Sequence, residues 1–177
     1  MKKKINKAIF LDRDGVINKE IGYLHKTKDF KFIDGVFEAC NYFQEKGYLI
    51  IIITNQSGIG RGYYTEEDFH ILNNWMNKQF SNNGIDITDI FYCPHVPDDD
   101  CNCRKPKPGL IQDALQKHSI DIARSWMIGD KESDITAGNL AGISNTFLVK
   151  TGHEIDELKT NAKYILKSIK ESIQLIK

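Results

Sequence analysis

Five consecutive apolar residues, 49–53, constrain the fold of this chain more than any other feature of its sequence. A strand that is apolar on both faces is typical of the interior of a parallel sheet, where helices cover both sides. Four further strands are predicted from mainly apolar runs at residues 7–11, 90–93, 125–128 and 146–149. The pattern therefore indicates a sheet whose central strand is buried on both faces.

Amphipathic stretches between these runs predict the helices that would cover the sheet. Val36, Cys40 and Phe43 share one helical face, and Thr65 with Asp68 three residues on fits the start of a second helix. Further helices are predicted at residues 110–115, at 133–141 and in the tail after residue 161. In the tail, a helix packed on the core is predicted from the spacing of Ile165, Leu166, Ile169, Ile173 and Ile176.

Strands that alternate with helices predict an α/β fold, Rossmann-like, with a mainly parallel sheet flanked by helices. Ligands of such sheets bind at the carboxyl ends of the strands. Between the first strand and the first helix there is room only for a loop, so no large cap domain is expected. No repeat or linker divides the sequence, and residues 1–177 are expected to form a single domain.

The charge and the apolar pattern of the sequence argue against a nucleic-acid partner, a signal peptide and a membrane span. The 24 basic and 24 acidic residues give a formal net charge of zero, so no nucleic-acid partner is expected. The lysine-rich start, residues 1–4, is not followed by the apolar stretch of a signal peptide, and no apolar run is long enough to cross a membrane. We therefore expect a cytoplasmic monomer that does not bind membranes and keeps its four cysteines reduced.

Reactive side chains follow three of the predicted strands. Residues 12–15 follow the first strand, residues 54–58 end the second, and Asp130 follows the fourth, with Asp134 four residues beyond. Carboxylates can attack phosphorus and exchange protons, and their oxygens suit a hard divalent cation. Lysine and hydroxyl groups can stabilise the equatorial oxygens of a phosphoryl group. The combination favours phosphoryl transfer.

The segment Asp12-Arg13-Asp14-Gly15-Val16 fits the pattern D-x-D-G-[TV]. A lone D-x-D is weak evidence, but here it is followed in order by Thr54, Lys105 and Asp130. In this respect the chain resembles the haloacid dehalogenase-like phosphatases. The resemblance implies that Asp12 is the nucleophile and Asp14 the general acid/base, and that Thr54 and Lys105 contact the phosphoryl group.

The same resemblance implies a catalytic magnesium site. Its ligands would be Asp12, the backbone carbonyl of Asp14, and Asp130, with Asp134 as a supporting carboxylate. All of these catalytic and magnesium positions are intact, which argues against a descendant that kept the fold and lost the activity.

A second metal is predicted from the pattern C-x-H-x5-C-x-C, formed by Cys93, His95, Cys101 and Cys103. Three thiolates and one imidazole suit a closed tetrahedral zinc site, which has no position for a reacting water and is therefore structural. Such a zinc ion would order the loop and fix the adjacent Arg104 and Lys105. The alternative is a cluster of free thiols in a reducing compartment.

A zinc loop within this class is similar to the D-glycero-D-manno-heptose 1,7-bisphosphate 7-phosphatases and to the related histidinol-phosphate phosphatases. Residues 22–25, 32–36, 54–62 and 149–152 favour the heptose branch, whereas the short zinc loop is usual in the histidinol-phosphate branch. The heptose resemblance implies contacts to a sugar phosphate from Glu20, Ile21, Gly22, Tyr23, Asn55, Gln56, Ser57, Arg104 and Lys131.

The function expected from this resemblance is hydrolysis of the 7-phosphate through an aspartyl-phosphate intermediate, in nucleotide-activated heptose synthesis. The alternatives are hydrolysis of histidinol phosphate and a non-catalytic, zinc-stabilised binding module. Four histidines, His25, His70, His118 and His153, show no metal-ligand spacing with one another and are expected to be solvated or to cap helices. Arg61 is expected to be solvated.

Overall fold

The computed structural model describes residues 5–177; the lysine-rich start at residues 1–4 lies outside them. Six parallel strands form one sheet in the order β3-β2-β1-β4-β5-β6. The strands are β1 (Lys7–Leu11), β2 (Tyr48–Asn55), β3 (Asp89–Cys93), β4 (Trp126–Gly129), β5 (Asn145–Val149) and β6 (Tyr164–Leu166). The predicted Rossmann-like α/β fold with a parallel sheet is confirmed.

Five α-helices connect these strands. They are α1 (Val36–Glu45), α2 (Ser57–Gly60), α3 (Glu66–Asn82), α4 (Gly109–Lys117) and α5 (Glu132–Ala141). Between β1 and α1, residues 12–35 contain one 3-10 turn at Thr27–Asp29 and no α-helix, so no large cap covers the end of β1. Within residues 5–177, no helix has both the length and the apolar character that crossing a bilayer requires.

Two apolar clusters, one on each face of the sheet, explain why the central strands are apolar throughout. In β2, Ile50 and Ile52 pack with α1 and α3, whereas Ile51 and Ile53 pack with α4. All four side chains are at most 1% exposed. Because successive side chains of a strand point to opposite faces, a strand with helices on both sides has no solvent-facing position.

The C-terminal tail does not form the predicted helix. Residues Tyr164–Leu166 instead add the parallel edge strand β6 beside β5, and Ile169–Gln174 form a 3-10 helix that packs against α1. The Tyr42 hydroxyl donates a hydrogen bond to the Ile176 carbonyl at 2.7 Å. Leu166, Ile169 and Ile176 are buried in this arrangement. The tail forms a strand because the open edge of β5 offers backbone hydrogen-bond partners, which a helix would leave unused.

The predicted start of α3 is present as a reciprocal capping box. Thr65 Oγ1 accepts a hydrogen bond from the Asp68 backbone N–H at 3.1 Å, and Asp68 Oδ2 accepts one from the Thr65 N–H at 2.9 Å. Such a cap satisfies N–H groups that have no partner within the helix.

We predict that Thr65→Ala lowers the free energy of unfolding by about 1 kcal/mol, because the first turn of α3 loses its side-chain acceptor. Urea denaturation measures the difference. Lys78→Ala, at an exposed position of the same helix, is the control and should change stability by less than about 0.5 kcal/mol. Equal stability of the Thr65 variant and the wild type would contradict a role for this cap.

Candidate active site

The carboxyl ends of the neighbouring strands β2, β1 and β4 bring the predicted reactive residues to one edge of the sheet. Carboxylate oxygens of Asp12, Asp130 and Asp134 lie within 4.8 Å of one another, and all three residues are buried. Burial and the neighbouring carboxylates of Asp134, Asp130 and Asp14 raise the pKa of Asp12 well above its ordinary value, although Lys105 opposes the shift. The cluster therefore carries more negative charge than its own residues balance.

Lys105 is the cation inside this cluster. Its Nζ donates to Asp12 Oδ1 at 2.8 Å, to Asp134 Oδ1 at 2.7 Å and to the Ile53 carbonyl at 2.9 Å. Burial acts to lower the pKa of Lys105, but the two carboxylates outweigh it and hold the pKa above its usual range. The Asn55 side chain donates to the Lys105 carbonyl at 3.1 Å and accepts from its backbone N–H at 3.0 Å, which fixes the lysine on its loop.

Asp130 and Asp134 are only four residues apart but have different surroundings. Asp134 Oδ2 accepts from the backbone N–H groups of Asp130 and Lys131, at 3.2 and 3.0 Å, and its Oδ1 pairs with Lys105. Asp130 Oδ1, in contrast, is buried and has no hydrogen-bond partner. An unpaired buried carboxylate oxygen beside other carboxylates fits a hard divalent cation such as magnesium, which prefers oxygen ligands.

Asp14 lies beside this cluster in a network of hydrogen-bond donors. The fully buried Arg13 donates to its Oδ2 through NH2 at 3.0 Å, Gln56 donates to the same oxygen at 3.0 Å, and Asn18 donates to Oδ1 at 2.9 Å. Burial would raise the pKa of Asp14, but the charge of Arg13 and these hydrogen bonds outweigh it and lower the pKa. Asp14 is therefore held as a carboxylate, the form that can accept a proton.

An open cavity of about 560 Å³ lies next to these groups. It is lined by Asp14, Glu20, Gly22, Tyr23, Leu24, Asn55, Gln56, Ser57, Arg61, Tyr64, Arg104, Lys105, Pro106, Lys131, Ser133 and His153. A smaller cavity of about 50 Å³ shares part of this lining and reaches Asp12 and Asp134. Four cationic side chains thus face a space that leads to the buried carboxylates, which suits an anionic ligand.

Most residues predicted to contact substrate line the larger cavity, but Ile21 and Thr54 do not. Ile21 is 56% exposed, and Thr54 is buried with its Oγ1 accepting a hydrogen bond from Gln56 Nε2 at 2.8 Å. Arg61, expected to be merely solvated, does line the cavity, and so does His153. In the sequence, Arg61 comes soon after β2 and His153 soon after β5, and both strands end at this edge of the sheet. That position was the signal from which their place in the cavity could have been predicted.

The predicted zinc ligands also converge. The Cys93, Cys101 and Cys103 sulfurs and His95 Nδ1 lie within 4.8 Å of one another. The Cys93 and Cys101 sulfurs are 3.7 Å apart, close to the roughly 3.8 Å edge of a tetrahedron with zinc–sulfur bonds of about 2.3 Å. His95 Nδ1 lies 3.6 Å from the Cys93 sulfur and 3.2 Å from the Cys103 sulfur. All three cysteines of the cluster are free of disulfide bonds.

This cysteine cluster is joined to the cavity by two contacts. Arg104, next to the last cysteine, donates through NH1 to the His95 carbonyl at 3.3 Å. The Gly60 N–H donates to the Pro94 carbonyl at 3.0 Å, and a Cβ at position 60 would lie 2.7 Å from that oxygen. Arg61, which follows Gly60, is therefore held against the same loop as Arg104.

Comparisons with known proteins agree with this arrangement. A sequence profile of the HAD-hydrolase-like family matches residues 102–172. A Photorhabdus laumondii protein named D-glycero-alpha-D-manno-heptose-1,7-bisphosphate 7-phosphatase is 52% identical and aligns with 88% of this chain and 89% of its own length. A Pasteurella multocida protein, named as the corresponding phosphatase of the beta anomer, is 47% identical over 98% of both chains.

A crystal structure of the D,D-heptose 1,7-bisphosphate phosphatase from B. bronchiseptica, complexed with magnesium and phosphate, is also similar. Its TM-score is 0.84 at 29% sequence identity, with 96% of this chain and 97% of that chain covered. The chain therefore belongs to the haloacid dehalogenase-like hydrolases, in the family of the D-glycero-D-manno-heptose 1,7-bisphosphate 7-phosphatases.

Proposed function

We propose that this chain is a single-domain phosphatase that hydrolyses the 7-phosphate of D-glycero-D-manno-heptose 1,7-bisphosphate. The observation that carries the proposal is the buried cluster of Asp12, Asp130, Asp134 and Lys105, which opens onto a cavity lined by cationic side chains. The names of the relatives supply the substrate. Dephosphorylation at this position serves nucleotide-activated heptose synthesis, as the sequence resemblance implies.

In the proposed reaction, an Asp12 carboxylate oxygen attacks phosphorus and the bond between phosphorus and the sugar oxygen breaks. Asp14, a carboxylate in the free site, must take up a proton when the phosphomonoester binds, and it then gives that proton to the leaving oxygen. It afterwards takes a proton from the water that attacks the acyl phosphate, which releases inorganic phosphate and restores Asp12. Lys105, 2.8 Å from Asp12, stabilises the charge that develops on the phosphoryl oxygens. Thr54 holds Gln56, and Gln56 in turn holds Asp14.

Magnesium would be held by Asp12, the Asp14 carbonyl and Asp130. When bound, it supplies positive charge that offsets the repulsion between phosphate and carboxylates. Asp134 is a supporting residue rather than a ligand, because its two oxygens are already used by Lys105 and by two backbone N–H groups.

Substrate recognition is assigned to part of the lining of the larger cavity, and His153 is not included in that part. Arg104 and Lys131 would bind the phosphate that remains on the sugar, since guanidinium and ammonium groups suit anions. Residues 20–23 and the side chains of Asn55, Gln56 and Ser57 would contact the sugar. Ile21 is the exception, because its side chain lies outside the cavity lining.

The substrate is tested by comparing kcat/KM for the two anomers of the heptose bisphosphate with kcat/KM for histidinol phosphate. We expect at least one heptose anomer to be preferred. A higher kcat/KM for histidinol phosphate would transfer the proposal to that substrate, which the short loop between Cys93 and Cys103 also permits. No turnover of any phosphomonoester would favour a binding module.

We predict that Asp12→Asn lowers kcat on the order of a thousandfold or more, because an amide cannot form the acyl phosphate. Steady-state kinetics of the purified variant measures the loss. Asp113→Asn, an exposed carboxylate on α4, is the matched control and should keep wild-type turnover. Near-normal turnover of a homogeneous Asp12→Asn preparation would exclude covalent catalysis at this residue.

Removal of divalent cations is predicted to stop turnover, and added magnesium is predicted to restore it. Asp130→Ala should raise the magnesium concentration needed for half-maximal activity, or abolish activity, because the unpaired Oδ1 is lost. Titration of activity with magnesium after chelation checks both statements. Full activity without any divalent metal would refute the ligand role of Asp130.

We propose that zinc is bound by Cys93, His95, Cys101 and Cys103, near one ion per chain, and that it takes no part in the chemistry. Cys101→Ser should lose zinc and lower activity, since a displacement of about 1 Å at Arg104 and Lys105 can cost on the order of a hundredfold in rate. The loss should be smaller than for Asp12→Asn.

Metal analysis of protein prepared under reducing conditions without chelators measures the zinc content. Cys40→Ala is the control, because Cys40 is buried in the core away from the cluster and its variant should retain zinc. A zinc-free wild-type protein, or a disulfide between Cys101 and Cys103, would rule out the zinc site.

A further inference from the structure

His153 makes an unusually close pair of contacts with Asp130. The residue follows β5 on a short turn, and its ring Nδ1 lies 2.6 Å from Asp130 Oδ2. Its backbone N–H donates to the same oxygen at 3.0 Å. Because a carboxylate offers only lone pairs, Nδ1 is the nitrogen that donates. One residue thus supplies two donors to one oxygen of a fully buried carboxylate.

The other oxygen of Asp130 is left free by this arrangement. Asp130 Oδ1 is buried and has no hydrogen-bond partner, and leaving a buried acceptor unpaired costs free energy. With both hydrogen bonds from His153 made to Oδ2, Oδ1 is the oxygen available to a cation. The contacts of His153 therefore fix which oxygen of Asp130 is left without a partner.

Two glycines make room for Asp130 in this orientation. A Cβ at Gly152 would lie 1.9 Å from Asp130 Oδ2, and one at Gly15 would lie 2.3 Å from the same atom. The backbone therefore packs directly against Oδ2, and the carboxylate fits only because neither position carries a side chain. On the cavity side, His153 Nε2 lies 3.9 Å from Glu20 Oε2.

We propose that His153 is a positioning residue that orients Asp130 for magnesium, a role which the spacing of the histidines in the sequence did not reveal. The inference rests on the magnesium site proposed above. Hydrogen bonds from outside the coordination shell fix the direction of a ligating carboxylate, and losing one typically costs 10–100-fold in metal affinity. His153 would act on the metal through Asp130 alone.

The test is the affinity of the chelator-treated protein for magnesium, measured by isothermal titration calorimetry, with zinc content checked in each sample. His153→Ala is expected to raise the Kd for magnesium by about 10–100-fold. His153→Asn, whose amide nitrogen can take the place of Nδ1, should recover most of the affinity. His153→Gln, whose amide sits one carbon further out, should not.

His118→Ala is the matched control. The His118 ring also contacts a carboxylate, with Nε2 2.9 Å from Asp89 Oδ2. Asp89, however, is the first residue of β3 and lies at the amino ends of the strands, whereas the site lies at their carboxyl ends. This variant should bind magnesium as the wild type does. A loss of affinity equal to that of His153→Ala would show that any histidine–carboxylate contact has this effect, and the inference would be wrong.

Kinetics separates positioning of the metal from direct contact with substrate. For His153→Ala, the magnesium concentration at half-maximal rate should rise, while kcat and KM at saturating magnesium return towards wild-type values. A raised KM for the phosphomonoester at saturating magnesium, with unchanged magnesium affinity, would overturn the inference and leave the proposed function intact. Wild-type protein that neither binds nor requires magnesium would overturn both.

Discussion

The site depends on the ion pairs and the hydrogen bond that Lys105 makes. Three carboxylates lie buried within 4.8 Å of one another, and the Lys105 ammonium donates to two of them and to a carbonyl of β2. Removing one member of a buried ion pair typically costs about 3–5 kcal/mol, because the partner charge stays buried. The lysine still balances only part of the charge. The negative charge that Lys105 leaves unbalanced suits this edge of the sheet to a divalent cation. A bound cation would in turn attract phosphate.

The position of this lysine is set by parts of the chain that are far apart in sequence. Cys93, the last residue of β3, brings the cysteine loop beside β2, and Arg104 and Lys105 follow the last cysteine of that loop. Asn55, at the end of β2, then binds both the N–H and the carbonyl of Lys105. Asn55 thus ties the cysteine loop to the sheet at Lys105, the residue whose positive charge offsets the carboxylates, so the cysteine cluster lies next to the site.

The two aspartates after β4 have different hydrogen-bond partners in the site. Asp134 uses one oxygen for the backbone at the start of α5 and the other for Lys105, whereas Asp130 uses one oxygen for His153 and keeps the other free. Both residues belong to the same short segment and differ only in their neighbours. Hydrogen-bond partners, rather than residue type, are therefore what distinguishes the two carboxylates in the roles proposed for them.

The sequence by itself determined five of the six strands, the edge at which their reactive residues meet, and the family. Apolar runs in buried parallel strands and the order of the motifs are local signals that survive without coordinates. Only the tertiary structure decided the tail and the surroundings of the site. The tail has helical spacing, but the open edge of β5 takes Tyr164–Leu166 as a strand. His153 shows no metal-ligand spacing and contacts Asp130 because β5 lies beside β4, a long-range pairing that a residue pattern along the chain cannot encode.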